Sequence, residues 1–163
     1  MIEESTLKQQ FGDGIWISEF RDNRRVVVSA EQVHHLLAHL KNQLGFDFLV
    51  DITAVDYLEY ENSTDRFGVV YCLLNMQTGE RLVVKTFVND PNPSLPTVYS
   101  LWRGSDWMER EVYDMFGITF TGHPDLRRIL SPDEFSSYPL RKDYPLKGRG
   151  ERHNFPVITR AES

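Results

Sequence analysis

The sequence predicts an α+β fold: a body over residues 1–121 made of short strands and helices, followed by an extended irregular tail over residues 122–163. Three observations predict it. The 163 residues suit one domain, since domains commonly run about 100–200 residues. The hydrophobic pattern passes from strands to a helix, then to a strand meander, then back to a helix. Prolines then recur at 124, 132, 139, 145 and 156, too often for long helices or central strands. A hydrophobic content of 40%, with 12% aromatic residues, suffices for a core and excludes wholesale disorder.

The elements follow in chain order. Gly14-Ile-Trp-Ile-Ser-Glu-Phe20 and Arg25-Val-Val-Val28 read as short strands. Ser29 with Gln32 three residues later has capping-box form. The helix it opens carries Val33, Leu36, Leu37, Leu40 and Leu44 at helical spacing, and Gly45 is placed to stop it. Residues 46–57, rich in β-branched and aromatic types, predict a strand, and the polar run 59–65 an exposed loop. Residues 66–76 and 81–88 predict two more strands, joined by Gln77-Thr-Gly-Glu80, where Gly79 can take positive φ. Pro91, Pro93 and Pro96 break the ladder. Helix is expected to resume over 97–102 and again over 105–116, with Ser105 or Asp106 as N-cap and Gly117 as terminator. In the second stretch Trp107, Glu111 and Asp114 lie near one side. Met108, Val112, Met115 and Phe116 form an apolar stripe.

Charge and cysteine usage narrow the function. The net charge of -6 and pI of about 5.3 argue against non-specific nucleic-acid binding. Residues 1–122 carry 10 Lys+Arg against 18 Asp+Glu, whereas residues 123–163 carry 8 against 6, so the body is acidic and the tail mildly basic. Cys72 lies alone in an apolar run. One cysteine makes no internal disulfide and holds no iron–sulfur cluster, so it reads as a core residue. No run reaches the roughly 18 apolar residues that span a bilayer, and the N-terminus lacks the form of a secretory signal. The expectation is a soluble chain in a reducing compartment, meeting a membrane only through partners.

Few residue groups suggest chemistry. Glu109, Glu111 and Asp114 put three carboxylates on one and a half helical turns, with Glu111 and Asp114 three apart. Paired carboxylates can serve acid/base chemistry. Buried carboxylates more commonly pair with cations, here Arg110 and the following Arg127 and Arg128. His35 and His39 have the spacing of a helical zinc pair but no third ligand, so a helix face is the plainer reading. His123 beside Asp125 could relay a proton, yet no nucleophile elbow, dinucleotide loop or phosphate loop accompanies it.

Read together, Glu109-Arg-Glu111, Asp114-Met-Phe116, His123-Pro-Asp-Leu-Arg-Arg-Ile-Leu130 and Pro139-Leu-Arg-Lys-Asp-Tyr144 resemble the 30 kDa subunit family of respiratory complex I, the C-type subunit of the bacterial NADH:quinone oxidoreductase. The family motif runs ERE, two residues, an acid, two hydrophobics, six residues, His, three residues, Arg, one residue and two hydrophobics. The sequence fits it at Glu109, Arg110, Glu111, Asp114, Met115, Phe116, His123, Arg127, Ile129 and Leu130. A weaker likeness covers roughly residues 30–147.

The resemblance implies a single two-layer α+β domain, with a mixed sheet and helices packed on one side. It implies a non-catalytic subunit of the hydrophilic arm. Such a chain docks on the D-type subunit, which helps form the quinone site, and lies near the cluster-bearing B-type subunit. The complex as a whole would use NADH, FMN, iron–sulfur clusters and quinone, none bound by this chain. Its implied place is peripheral, on the cytoplasmic side of a bacterial inner membrane. Glu109, Arg110, Glu111, Asp114, Met115, Phe116, His123, Arg127, Arg128, Arg141, Lys142 and Asp143 are expected to be structural or to face a partner, with residues 122–146 as the interface. Two alternatives stay open. One is a same-family chain of a membrane-bound hydrogenase or a ferredoxin-linked photosynthetic complex. The other is a free-standing acid/base or metal enzyme using Glu111, Asp114 and His123.

Overall fold

The computed structural model describes residues 4–20 and 23–151. The end of the expected tail, Pro156 included, lies outside them. The chain opens with helix α1 (Glu4–Phe11), which the sequence reading does not anticipate. Its apolar signal is thin: Leu7 and Phe11, four residues apart, are its buried hydrophobic anchors. Tertiary packing holds it. The ring of Phe11 meets His35 and His39 edge-on, and the Gln32 side-chain amide donates to the Phe11 carbonyl at 3.1 Å. Those two histidines, spaced like a zinc pair, thus form part of a helix–helix contact.

Strands β1 (Ile15–Phe20) and β2 (Asn23–Val28) pair antiparallel. Helix α2 (Val33–Leu44) begins four residues after Ser29, and the expected capping box does not form. Residues 29–32 make a turn instead, with the Gln32 N–H on the Ser29 carbonyl, and the Gln32 side chain is spent on α1. Most of the predicted face is present: Val33, Leu36, Leu37 and Leu40 are fully buried, whereas Leu44 in the last turn is exposed, and Gly45 ends the helix at φ 73°.

Strands β3 (Phe48–Asp56), β4 (Phe67–Leu74) and β5 (Arg81–Val88) follow as a meander. The five-stranded sheet has the order β1-β2-β5-β4-β3. It is mixed because β2 and β5 pair parallel while the other neighbours are antiparallel. Period-two alternation puts Phe67, Val69, Tyr71 and Leu73 of β4, and Leu82, Val84 and Val88 of β5, on the face under the helices. These residues and the apolar side of α2 form one core.

Two further expectations change at the end of the meander. The proline-broken stretch contains strand β6 (Ser94–Pro96), paired parallel with β7 (Thr119–Thr121). Pro93 does not interrupt this pair, because it contributes only its carbonyl, which accepts from the Thr119 N–H at 3.0 Å. Residues 97–102 form a single turn, with both the Leu101 and Trp102 N–H groups on the Val98 carbonyl, and not a helix. Helix α3 (Ser105–Phe116) has its predicted span and stops at Gly117, but Gly104 occupies its N-cap position without a side-chain cap.

From residue 122 to 150 the chain forms neither helix nor strand. It folds back over α3 and the end of β3. The Leu140 N–H donates to the Met115 carbonyl at 3.1 Å, and the Lys142 N–H donates to Asp56 at 2.9 Å.

Candidate functional site

Helix α3 is buried on two adjacent faces. Ser105, Glu109, Val112 and Phe116, at alternating steps of four and three, lie on one of them. Arg110 and Asp114, four apart, lie on the next and are covered by the returning segment. Glu111 is exposed and Trp107 is 60% exposed. Trp107, Glu111 and Asp114 share one side of the helix, as their spacing predicts, but not one environment, because the segment after residue 122 covers Asp114 and leaves the other two in solvent. Glu111 and Asp114 do not form a carboxylate pair.

Each buried charge has a defined set of partners. Glu109 accepts from the Thr97 hydroxyl at 2.5 Å and from the Val98 N–H at 2.7 Å. Burial pushes its carboxyl above the usual range, opposed by these two donors and by His123. The His123 side chain is itself fully buried. Its Nδ1 lies 3.1 Å from the Asp125 N–H, which donates to it. Nε2 lies 3.4 Å from both the carbonyl and the Oδ1 of Asp106, and 3.8 Å from Glu109. His123 thus joins the start of the returning segment to the first turn of α3.

Arg110 reaches across to the carbonyls of Arg127 and Arg128, both at 3.1 Å. Asp114 has the densest set. Its Oδ1 accepts from Arg128 at 2.6 Å, and its Oδ2 from the N–H groups of Ile129, Leu130 and Ser131 at 3.0, 2.7 and 2.8 Å. Burial alone would raise its carboxyl, but the three N–H groups and the guanidinium hold it down at about 2. Arg127 remains outside, paired with Asp125 at 2.9 Å.

A second cluster fixes the segment further along, and only one side of it was legible in sequence. Asp56, with a fully buried side chain, accepts from the N–H groups of Leu58 and Lys142. Arg66 binds Asp56 at 3.4 Å, Asp143 at 2.7 Å, and Asp90. The Arg66 hydrogen bond lowers the Asp143 carboxyl below its ordinary value. Arg141 donates to the Phe116 carbonyl at 2.6 Å and stacks on Phe67 and Tyr138. Tyr138 in turn lies over Gly117. A Cβ at that glycine would sit 2.5 Å from the ring, so the positive φ of 75° and the absent side chain are both needed. The sequence motif flags Arg141, Lys142 and Asp143. Their partners Asp56, Arg66 and Asp90 carry no local signal.

Chemically, this arrangement consumes its charges. The free-standing enzyme reading needs Glu111, Asp114 and His123 to converge, but Glu111 faces solvent, Asp114 is filled with donors, and His123 meets Asp106 and Glu109. Among the described residues no group of three or more His, Cys, Asp or Glu side chains converges as a metal site. The site is a clasp between α3, β3 and the returning segment.

Comparison with known proteins gives a consistent result. The family model for the respiratory-chain NADH dehydrogenase 30 kDa subunit matches residues 26–150. A protein named NADH-quinone oxidoreductase subunit 5 from Thermus thermophilus is 47% identical over 130 residues, 76% of this chain and 62% of that protein. The chain thus spans about three fifths of that relative's length. The C-type NADH-quinone oxidoreductase subunit of Geobacter sulfurreducens is 44% identical over 87% of both chains. An Aquifex aeolicus relative, whose name gives it as a fused C/D form of the NADH-quinone oxidoreductase, is 42% identical over 87% of this chain and 23% of its own length. Among solved structures, a trypsin-resistant fragment of Nqo5 superposes with a TM-score of 0.68 at 41% identity, covering 76% of this chain and 98% of the fragment. A chain of the membrane-bound sulfane sulfur reductase, an archaeal respiratory membrane complex, superposes at 0.75 with 26% identity, covering 96% and 93%.

Proposed function

The chain belongs to the respiratory-chain NADH dehydrogenase 30 kDa subunit family, and from that premise we propose that it is a non-catalytic subunit of the hydrophilic arm of an NADH:quinone oxidoreductase. It docks on the D-type subunit, near the B-type one, through residues 122–146. It supports electron transfer from NADH to quinone by holding neighbouring subunits in register, while the nucleotide, flavin, clusters and quinone bind elsewhere in the complex. Its place is peripheral, on the cytoplasmic side of an inner membrane. Among the described residues no helix is long and apolar enough to cross one.

The observation that carries this reading is the family match over residues 26–150, a range that includes the clasp and nearly all of the returning segment. The clasp favours a structural role, since its carboxylates and guanidiniums are spent on holding the chain to itself. The fused Aquifex relative supports the D-type subunit as neighbour, because its name assigns both parts to one polypeptide. Identities of 37–47% to NADH-quinone oxidoreductase subunits, against 26% to the sulfane sulfur reductase chain, favour the quinone-linked complex over its relatives.

The test is affinity capture of the tagged full chain from solubilised membranes after chemical crosslinking. The expected result is recovery of the D-type subunit, with crosslinks mapping to residues 122–146 and NADH:quinone activity in the eluate. Recovery of the chain alone, or with hydrogenase subunits, would overturn the proposal.

A further inference from the structure

The segment between residues 140 and 149 carries two features that its attachment to the body does not use. Leu140 is 52% exposed and Leu146 completely so. Both are held on fixed backbone. The Leu140 N–H is bonded to the Met115 carbonyl, the Tyr144 N–H to Arg141, and the Gly148 N–H to Pro145. The Tyr144 ring packs edge-on against buried Phe135, and its hydroxyl donates to Glu151. Leucines on floppy chain are common at a surface. Leucines presented in solvent on a clasped, hydrogen-bonded loop are pre-organised for contact.

The charges around them divide in the same way. Asp143 is taken up by Arg66, and Arg141 by the Phe116 carbonyl and the rings of Phe67 and Tyr138. The Glu151 carboxylate turns onto the Tyr144 hydroxyl and the Arg149 N–H. Lys142 and Lys147 have exposed side chains on the same loop as the two leucines, and exposed Arg149 lies over the Tyr144 ring at 5.5 Å. One loop thus carries both exposed leucines and these cations, on a chain whose net charge is -6.

Resting on the docking reading above, we propose that this loop is the anchor of the interface, seating Leu140 and Leu146 in apolar pockets of an acidic surface on the neighbouring protein, with Lys142, Lys147 and Arg149 at the rim. Anionic lipid fits less well. Polybasic membrane attachment draws on clusters of about four to eight cations, and here an acidic body adds repulsion. The two leucines provide the contact that excludes water, and the cations set orientation and rate of association.

The experiment titrates the full chain with the purified D-type subunit at low and high salt. It compares wild type with Leu140→Ser/Leu146→Ser and with Lys142→Glu/Lys147→Glu, and adds a sedimentation arm with vesicles containing about 30% phosphatidylglycerol. All four positions are exposed, so the unfolding midpoints should match wild type. The leucine variant should bind about ten- to a hundredfold more weakly, in line with loss of two buried side chains. The charge variant should bind more weakly and lose salt sensitivity. If wild type binds and both variants bind equally well, the anchor proposal fails while the docking reading stands. If wild type does not bind at all, the docking reading fails with it. Vesicle binding that depends on the leucines would overturn the protein partner in favour of lipid.

Discussion

Asp114→Asn tests whether the clasp is built on a single carboxylate. Asp114 is fully buried and receives one charged and three backbone hydrogen bonds. An amide cannot replace it. If the Asn oxygen faces residues 129–131, the Asn NH2 points at the Arg128 guanidinium; if it is flipped, it points at three N–H groups. Breaking a buried pair costs about 3–5 kcal/mol. Arg128 keeps the carbonyls of Asp114 and Ser137, so the lower end, about 3 kcal/mol, is expected. With a urea slope of about 2 kcal/mol/M, the midpoint should fall by about 1.5 M. The pH dependence has a definite sign. The folded-state value of about 2 lies below the ordinary unfolded one, so the contribution is complete above the unfolded value and disappears as pH falls toward the folded one. The gap between wild type and variant should therefore narrow by about 1 kcal/mol at pH 3 and about 2 kcal/mol at pH 2. Urea titrations followed by tryptophan fluorescence at pH 7, 3 and 2 measure both effects. A gap under about 0.5 kcal/mol at pH 7, or one that stays constant on acidification, would refute the reasoning.

Other perturbations separate the parts of the same network. Gly117→Ala should lose at least about 1 kcal/mol from the left-handed backbone alone, and it should push Tyr138 away; faster amide hydrogen exchange at Leu140 and Lys142 would report the loosened segment, and unchanged exchange would count against the contact. Arg66→Met leaves buried Asp56 without its guanidinium and should cost about 3–5 kcal/mol, whereas Asp143→Asn, at a half-exposed carboxylate, should cost under about 1 kcal/mol. Thermal melts of the two variants side by side check that order, and equal losses would contradict it. Glu111→Gln should stay within about 0.5 kcal/mol of wild type and leave quinone reduction by the assembled complex unchanged; loss of turnover in an intact complex would return this carboxylate to the chemistry.

The sequence by itself determined the elements whose signal is local and repeated. The i, i+3, i+4 spacing of Val33, Leu36, Leu37 and Leu40 specified α2, Gly45 and Gly117 marked two helix ends, and the alternation through 66–88 specified β4 and β5. The motif over 109–130 specified the family, because its residues are fixed in type and spacing. Helix α1 went unread, since a short polar helix with few apolar anchors is stable only where Phe11 and Gln32 dock it. The capping box at Ser29 failed because its Gln found a partner in another element. Only the tertiary structure decided which charges meet. The Lys142 N–H and Asp56 stand 86 residues apart in sequence, Asp143 and Arg66 77, and no periodicity relates them. Periodicity records what each residue does with its near neighbours. A buried carboxylate instead takes whichever donor the completed fold brings within reach, which is why Glu111 and Asp114, three residues apart on one helix, end in solvent and in the clasp.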